Sequence, residues 1–158
     1  MRKEYLAGIT KLGANTTEYL DNNPVVEILE RFLNKNGNIL ISVKAPEFSS
    51  KCPKTGQPDF ATIHIQYVPD KWCVESKSLK LYLFAFRQYG SFMEDITSKI
   101  ADDLFLRIRP FWLRVIGDFY SRGGISIVPV VERNRGKYMP QQHILKMPVL
   151  HTNHSRME

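Results

Sequence analysis

Apolar positions along this chain fall into strand-like and helix-like stretches whose order predicts an architecture. Residues 1 to 21 are polar with few periodic apolar positions and read as an extended N-terminal arm. Asn22-Asn23-Pro24 offers an N-cap and a first-turn proline, and Val25, Ile28, Leu29 and Phe32 then recur at helical spacing up to Asn36-Gly37. Ile39 to Val43 is rich in β-formers and predicts a strand ended by Pro46. Ala61, Ile63, Ile65 and Tyr67 alternate with Phe60, Thr62, His64 and Gln66, the pattern of a half-buried strand that Pro69-Asp70 breaks. From Ser76, the stripe Leu79, Tyr82, Leu83 and Phe86 predicts a helix ending at Tyr89-Gly90. A second helix starts near Ser91 with Glu94 and Asp95 in its first turn, carries Phe92, Ile96, Ile100 and Leu104, and is closed by Pro110. Phe111, Leu113, Val115 and Phe119 predict a third strand, Ser121 to Gly124 a turn, and Ile125 to Val131 a fourth.

The resulting order ββααββ describes an α+β domain: an antiparallel sheet with two helices on one face. Its first two strands form a hairpin, which brings Cys52 and Asp59 to the same end of the sheet. A sheet of this kind has two unpaired edges, which edge-to-edge assembly into a ring would cover. The 158 residues are expected to make a single domain over 1–158, with an ordered core of about 12–131 and a polar tail over 132–158 that is apolar only from Ile144 to Leu150. No stretch approaches the ~20 apolar residues of a membrane span. Met1-Arg2-Lys3-Glu4 has no apolar segment behind it, and two cysteines without such a segment suit reduced thiols, so a cytoplasmic protein is expected. A net charge of +6 suits an anionic partner, a phosphorylated cofactor or nucleic acid, and also serves solubility alone.

The stretch from Ser49 to Ala61 carries the candidate chemistry. Cys52 stands between Lys51 and Lys54, with Asp59 seven positions on, in a loop punctuated by Pro53, Thr55, Gly56 and Pro58. A thiol is nucleophilic as its thiolate, which neighbouring positive charge favours, and Asp59 can supply or take a proton once the loop folds back. The same residues also describe a small apolar side chain in an ordinary surface hairpin. For metal, His64, His143, His151 and His154 have no ligand spacing and Cys52 and Cys73 form no Cys-x-x-Cys, so no metal site is expected. No Gly-x-Gly-x-x-Gly follows a strand, so a Rossmann domain is excluded.

This loop, the block Val74-Glu75-Ser76-Lys77-Ser78-Leu79-Lys80-Leu81-Tyr82 and the segment Arg122-Gly123-Gly124-Ile125-Ser126-Ile127 resemble the nitrile reductase family known as QueF. The similarity runs from about Leu12 to Pro129 and matches the short, single-module form. It implies the tunnelling fold, with pentameric rings that stack as a decamer and sites between subunits. The implied reaction is reduction of 7-cyano-7-deazaguanine to 7-aminomethyl-7-deazaguanine with two NADPH per turnover, on the route to the tRNA base queuosine. Direct nucleic-acid binding and membrane contact are not expected.

The same resemblance implies roles. Cys52 would add to the nitrile as a covalent thioimide, a better hydride acceptor, with Asp59 as proton donor. Val74, Glu75, Ser76 and Glu94 would contact the substrate, Glu94 through the parallel N–H donors of a guanine-like edge. Immediately before that glutamate the family has histidine and this chain has Met93, which packs on a ring but cannot carry a proton. Ser76, Lys77, Arg122 and Gly123 would hold NADPH. Lys80, one turn beyond Lys77, adds a possible phosphate contact by its position. Two other readings stay open: a transferase of the same ancestry that accepts ammonia and acts on tRNA, and a non-catalytic RNA-binding module on the same fold.

Overall fold

The structure, a computed structural model, describes residues 23–37 and 39–136. The N-terminal arm over 1–21, and the tail beyond 136 with its apolar Ile144 to Leu150, lie outside the described residues. The chain runs β1 (Arg31–Leu33), β2 (Ile41–Lys51), β3 (Pro58–Val68), β4 (Trp72–Val74), α1 (Ser76–Phe84), α2 (Met93–Ile108), β5 (Trp112–Phe119) and β6 (Val130–Asn134). Strands β2, β3, β5 and β6 form the antiparallel sheet in that spatial order, and β1 pairs with β4 in a separate two-stranded ribbon. The expected ββααββ order is thus present, with both helices packed through one core cluster on one face of the sheet.

The helix expected over residues 24 to 36 does not form. Its place is taken by one 3-10 turn, Val26–Ile28, and by β1. Tertiary hydrogen bonds override the helical periodicity there. Glu30 donates its N–H to Ser78 Oγ at 2.9 Å and accepts from Glu75 N–H at 2.9 Å, and Arg31 to Leu33 ladder onto Val74 to Trp72. Leu29, fully buried, has its carbonyl held by Arg107 Nε at 2.6 Å. Ile28 and Leu29 N–H close the 3-10 turn onto Val25 and Val26, and the backbone from Leu29 C=O onward finds its partners outside the segment, in place of helical bonds.

Strand β2 does not stop at Pro46 but continues to Lys51. The register passes from Ala45 opposite Ile63 to Phe48 opposite Ala61, so Pro46-Glu47 holds one extra residue as a bulge. Proline is tolerated here because β2 is a sheet edge. The bulge also resets the alternation. Val43 and Ala45 pack on the core before it, and Phe48 and Ser50 are buried after it. Without the extra residue Phe48 and Ser50 would point the other way.

The fourth strand begins later than expected, at Val130 rather than Ile125, and the tail expected from Glu132 is still strand to Asn134. Residues 125 to 129 hold only single backbone bonds to β5, Phe119 N–H to Ile127 at 3.3 Å and Gly117 N–H to Pro129 at 3.0 Å. Glu132 and Arg133 are tied by ion pairs to Arg114 at 2.6 Å and Asp102 at 2.7 Å. Helix α1 ends at Phe84 and tightens into a 3-10 turn over Ala85–Gln88 before Tyr89. Helix α2 ends at Ile108, where Arg109 adopts φ 45° just before Pro110.

Under the helices, Phe48, Phe86, Tyr82, Tyr89 and Phe119 form an aromatic cluster, with Phe48 5.5 Å from Phe86 and edge-on to Phe119 at 6.3 Å. Tyr82 reaches past it to Asp103 on α2, 2.6 Å away. Gly117 lets α2 approach β5 closely. A Cβ there would lie 2.5 Å from Thr97 Oγ1 and 2.7 Å from the Phe119 ring. Gly117→Ala should therefore destabilise the fold by about 1–3 kcal/mol through overpacking. Urea titration should register this as a lower midpoint at an unchanged slope; an unaltered midpoint would mean that α2 and β5 are free to separate.

Candidate functional site

Cys52 sits immediately after β2, in the connection to β3. Its N–H donates to Gln57 at 2.9 Å and its carbonyl accepts from Gly56 N–H at 3.0 Å, closing a tight loop. Gly56 turns the chain at φ 68°, where a side chain would be strained. The hairpin register places Lys51 opposite Pro58 and Ser50 opposite Asp59. Opposite residues of an antiparallel pair share a face. Asp59 is 4% exposed, so its carboxylate is buried beside the thiol end of the sheet. A third segment closes the site: Lys51 N–H donates to Tyr89 at 3.1 Å and Ser91 N–H donates to Lys51 at 3.2 Å. Gly90 lies against Pro53, and α2 begins three residues later with Met93 and Glu94.

The electrostatics here differ from those that the two flanking lysines suggested. The Cys52 thiol is lowered from 9.0 to about 7, chiefly by hydrogen bonds from the Thr55 hydroxyl and from the backbone N–H groups of Thr55 and Lys54. The charge that helps is the Arg122 guanidinium, not an ammonium of Lys51 or Lys54. Arg122 Nε also lies 2.7 Å from Asp59 Oδ1, close enough to pair charges but not aligned as a hydrogen bond. Burial raises the Asp59 carboxyl above its ordinary range, and Arg122 only partly offsets this. Thiol and carboxyl are thus pushed in opposite directions, toward thiolate and toward carboxylic acid. Thr55 and Ser50 were not singled out in the sequence; a threonine in a tight loop carries no signal of which atom it will meet.

Met93 and Glu94 reach the same end of the molecule. Met93 is half-buried against the core and Glu94 is exposed. Glu94 makes no hydrogen bond or ion pair among the described residues. Arg122 and Gly123 complete this cluster from the turn after β5, where Arg122 pairs with Ile125.

Val74, Glu75, Ser76, Lys77 and Lys80 lie elsewhere. Val74 N–H donates to Tyr67 Oη at 3.3 Å, and Tyr67 is the partner of Ile41 at the far end of the hairpin. From Asp59 to Tyr67 is eight residues along β3, about 25 Å at the usual strand rise. Glu75 is 3% exposed and caps α1: its carboxylate accepts from Lys77 N–H at 2.8 Å and Ser78 N–H at 2.7 Å. Ser76 Oγ leans on the same carboxylate at 3.3 Å. The acid is occupied with the helix, which leaves backbone groups and Ser76 to face a ligand. A cavity of about 820 Å³ opens between α1 and the free edge of β2, with Glu75, Ser76 and Lys80 at its rim and Val43, Tyr67, Leu79 and Leu83 on its floor. The cavity runs along β2 from Ile41 to Phe48 and Ser49, toward the Cys52 end of the strand.

With this arrangement in place, comparison with known proteins is informative. A family model described as QueF-like protein matches residues 58–138. NADPH-dependent 7-cyano-7-deazaguanine reductase of Bacillus licheniformis is 53% identical over 84% of this chain and 79% of its own length. The enzyme of that name from Bacillus subtilis is 51% identical over 86% and 82%. The chain belongs to the QueF family.

The QueF relative of the same name from Porphyromonas gingivalis is 47% identical across 92% of this chain and 94% of its own length, a span long enough to run through Cys52. Among solved structures, the apo form of an archaeosine synthase QueF-Like aligns with TM-score 0.56 at 14% identity, covering 65% of this chain and 99% of that one. At that identity the likeness concerns the fold, and it agrees with the antiparallel sheet and paired helices.

The thiol gives this site a direct readout. Alkylation of Cys52 by iodoacetamide should follow the thiolate fraction and reach half its maximum near pH 7, whereas an unperturbed thiol would reach it near 9. Removing a stabiliser of the anion moves that midpoint upward, so Thr55→Ala should raise it more than Arg122→Gln. Burial raises Cys73, which stays protonated and unlabelled. A midpoint near 9 in the parent protein would refute the assignment.

Proposed function

We propose that this chain is an NADPH-dependent nitrile reductase that converts 7-cyano-7-deazaguanine to 7-aminomethyl-7-deazaguanine through a thioimide on Cys52, serving queuosine formation in the cytoplasm. The observation that carries this is the opposed perturbation at one end of the sheet, a thiol lowered to about 7 beside a buried carboxyl raised by burial. The names borne by the relatives at about half identity supply the substrate and cofactor class.

The chemistry follows from those two groups. A nitrile carbon is a weak electrophile, and a thiolate is soft enough to attack it. The sulfur lone pair forms the S–C bond while one C≡N π pair moves to nitrogen, which takes the Asp59 proton. Cys52 then carries a C=N–H group and Asp59 is a carboxylate. NADPH, when bound, supplies hydride, and four-electron reduction of a nitrile to an amine requires two. Glu94, exposed and uncommitted, is assigned to the guanine-like edge of the substrate, and Met93 to packing beside the ring. Because Met93 replaces histidine, Asp59 has no neighbouring imidazole at that position to share the proton transfer.

Val74, Glu75 and Ser76 stand by the Tyr67 end of β3 and Cys52 lies past its Asp59 end, about 25 Å away along the strand. A complete site therefore draws its second half from a neighbouring copy. Among the described residues β2 and β6 are the edge strands of the sheet, and pairing them around a ring covers both. We assign the chain to pentameric rings stacked as a decamer. The cofactor residues divide in the same way, Ser76, Lys77 and Lys80 at one end and Arg122 with Gly123 at the other. Ser76 and Lys80 edge the apolar cavity as a polar and a cationic group fit for phosphate, and Gly123, exposed at φ 56°, permits close backbone approach.

Two experiments test this. Enzyme with cyano-deazaguanine should oxidise two NADPH per amine, and intact mass should rise by one substrate without NADPH but not in Cys52→Ala. An enzyme that ignores NADPH and incorporates ammonia into tRNA would instead be the transferase. For the shared site, an equal mixture of Cys52→Ala and Lys77→Ala/Lys80→Ala under subunit exchange should recover about a quarter of the parent activity, the chance that a site draws both intact halves. Mixtures as inactive as their components would place the whole site in one chain.

A further inference from the structure

Two buried side-chain atoms among the described residues have no hydrogen-bond partner: Ser50 Oγ, and Asp59 Oδ1, whose charge is paired by Arg122 Nε at 2.7 Å without an aligned hydrogen bond. They are not scattered. Ser50 and Asp59 are direct partners in the β2–β3 ladder, and Ser50 precedes Cys52 by two residues. Ser50 is fully buried, on the face the bulge at Pro46-Glu47 turns inward. An unpartnered buried hydroxyl is costly, and alanine would fit the same space without that cost. Polar groups left unsatisfied at a stability penalty are a mark of sites waiting for a ligand.

We propose that Ser50 is a further catalytic residue, whose hydroxyl and Asp59 Oδ1 together hold the nitrogen of the nitrile as it becomes an imine. The inference rests on the nitrile reading above. After the Cys52 sulfur adds and the Asp59 proton is delivered, the nitrogen carries one N–H and one lone pair. The N–H donates to the Asp59 carboxylate, which keeps its charge pair with Arg122, and the lone pair accepts from Ser50 O–H, so one substrate atom meets both groups. Once the amine product takes a proton from solvent its ammonium nitrogen is a donor only, and Ser50 Oγ turns to accept. A hydroxyl suits this position because it reverses role between these steps, which neither a carboxylate nor an ammonium does.

Ser50→Ala separates this role from packing. The variant should melt at the parent temperature or above it, because an unsatisfied hydroxyl has been removed. Cys52 alkylation should keep its midpoint near pH 7. Adduct formation with cyano-deazaguanine, followed by intact mass, and kcat for NADPH oxidation should both fall by roughly 2- to 10-fold, the worth of one neutral hydrogen bond. Parent-like adduct formation and kcat in a folded Ser50→Ala would overturn the role. A lowered melting temperature with slowed alkylation would overturn it too, by making Ser50 a packing residue of the loop. A parent protein that forms no adduct at all would defeat the nitrile reading itself, so the two failures are distinct.

Discussion

The register of β2 against β3 is the constraint on which the site depends. Ser50 faces Asp59 and Lys51 faces Pro58, and that pairing alone brings a thiol, a buried acid and a hydroxyl to one end of the sheet. A slip of one residue would turn Asp59 to the other face, replacing it inside by Phe60 or Pro58. The register is held from both sides. Ile63, Ile65 and Tyr67 lock β3 into the core, and the bulge at Pro46-Glu47 brings Phe48 back into phase with them. Phe48 then anchors the strand against Phe86 and Phe119, directly below the reactive loop.

The same geometry explains why the two reactive groups diverge in acidity. Asp59 is inside the sheet and loses water, so its charged form is disfavoured. Cys52, one step beyond the strand, is half-buried and gains donors from Thr55 and Lys54 in the loop that Gly56 closes, which outweigh its partial burial. Arg122 spans both, close to the carboxylate and bonded toward the thiol. One guanidinium thus limits how far Asp59 can rise while helping Cys52 to fall. That is a structural task for a residue whose sequence context suggested only a cofactor contact.

Glu75 has a similar double character. Its carboxylate caps α1, its N–H meets Glu30, and its carbonyl accepts from Ser78 Oγ at 2.8 Å. Through these bonds the first segment of the domain is fastened to the start of α1, and the rim of the cavity is fixed. This rim lies toward the Tyr67 end of β3, and Cys52 lies past its Asp59 end. On the function proposed above, assembly that covers the sheet edges would also complete the site.

The sequence by itself determined the hairpin, both main helices, the central strands and the end of the sheet where Cys52 and Asp59 would meet, because two-residue and 3.6-residue periodicities record which face is buried. It also carried the family in the loop and in the block from Glu75 to Tyr82. It misjudged Val25 to Phe32, whose helical spacing is real but whose backbone bonds go to Ser78, Glu75 and Val74. Only the tertiary structure decided that Pro46 makes a bulge rather than an end, since a proline at a sheet edge is tolerated and the chain does not say which strand lies there. Only the tertiary structure, likewise, placed Arg122 on Asp59 and left Ser50 without a partner. Arg122 and Asp59 stand 63 positions apart (122 − 59) and meet only through folding, so no local pattern encodes their pairing.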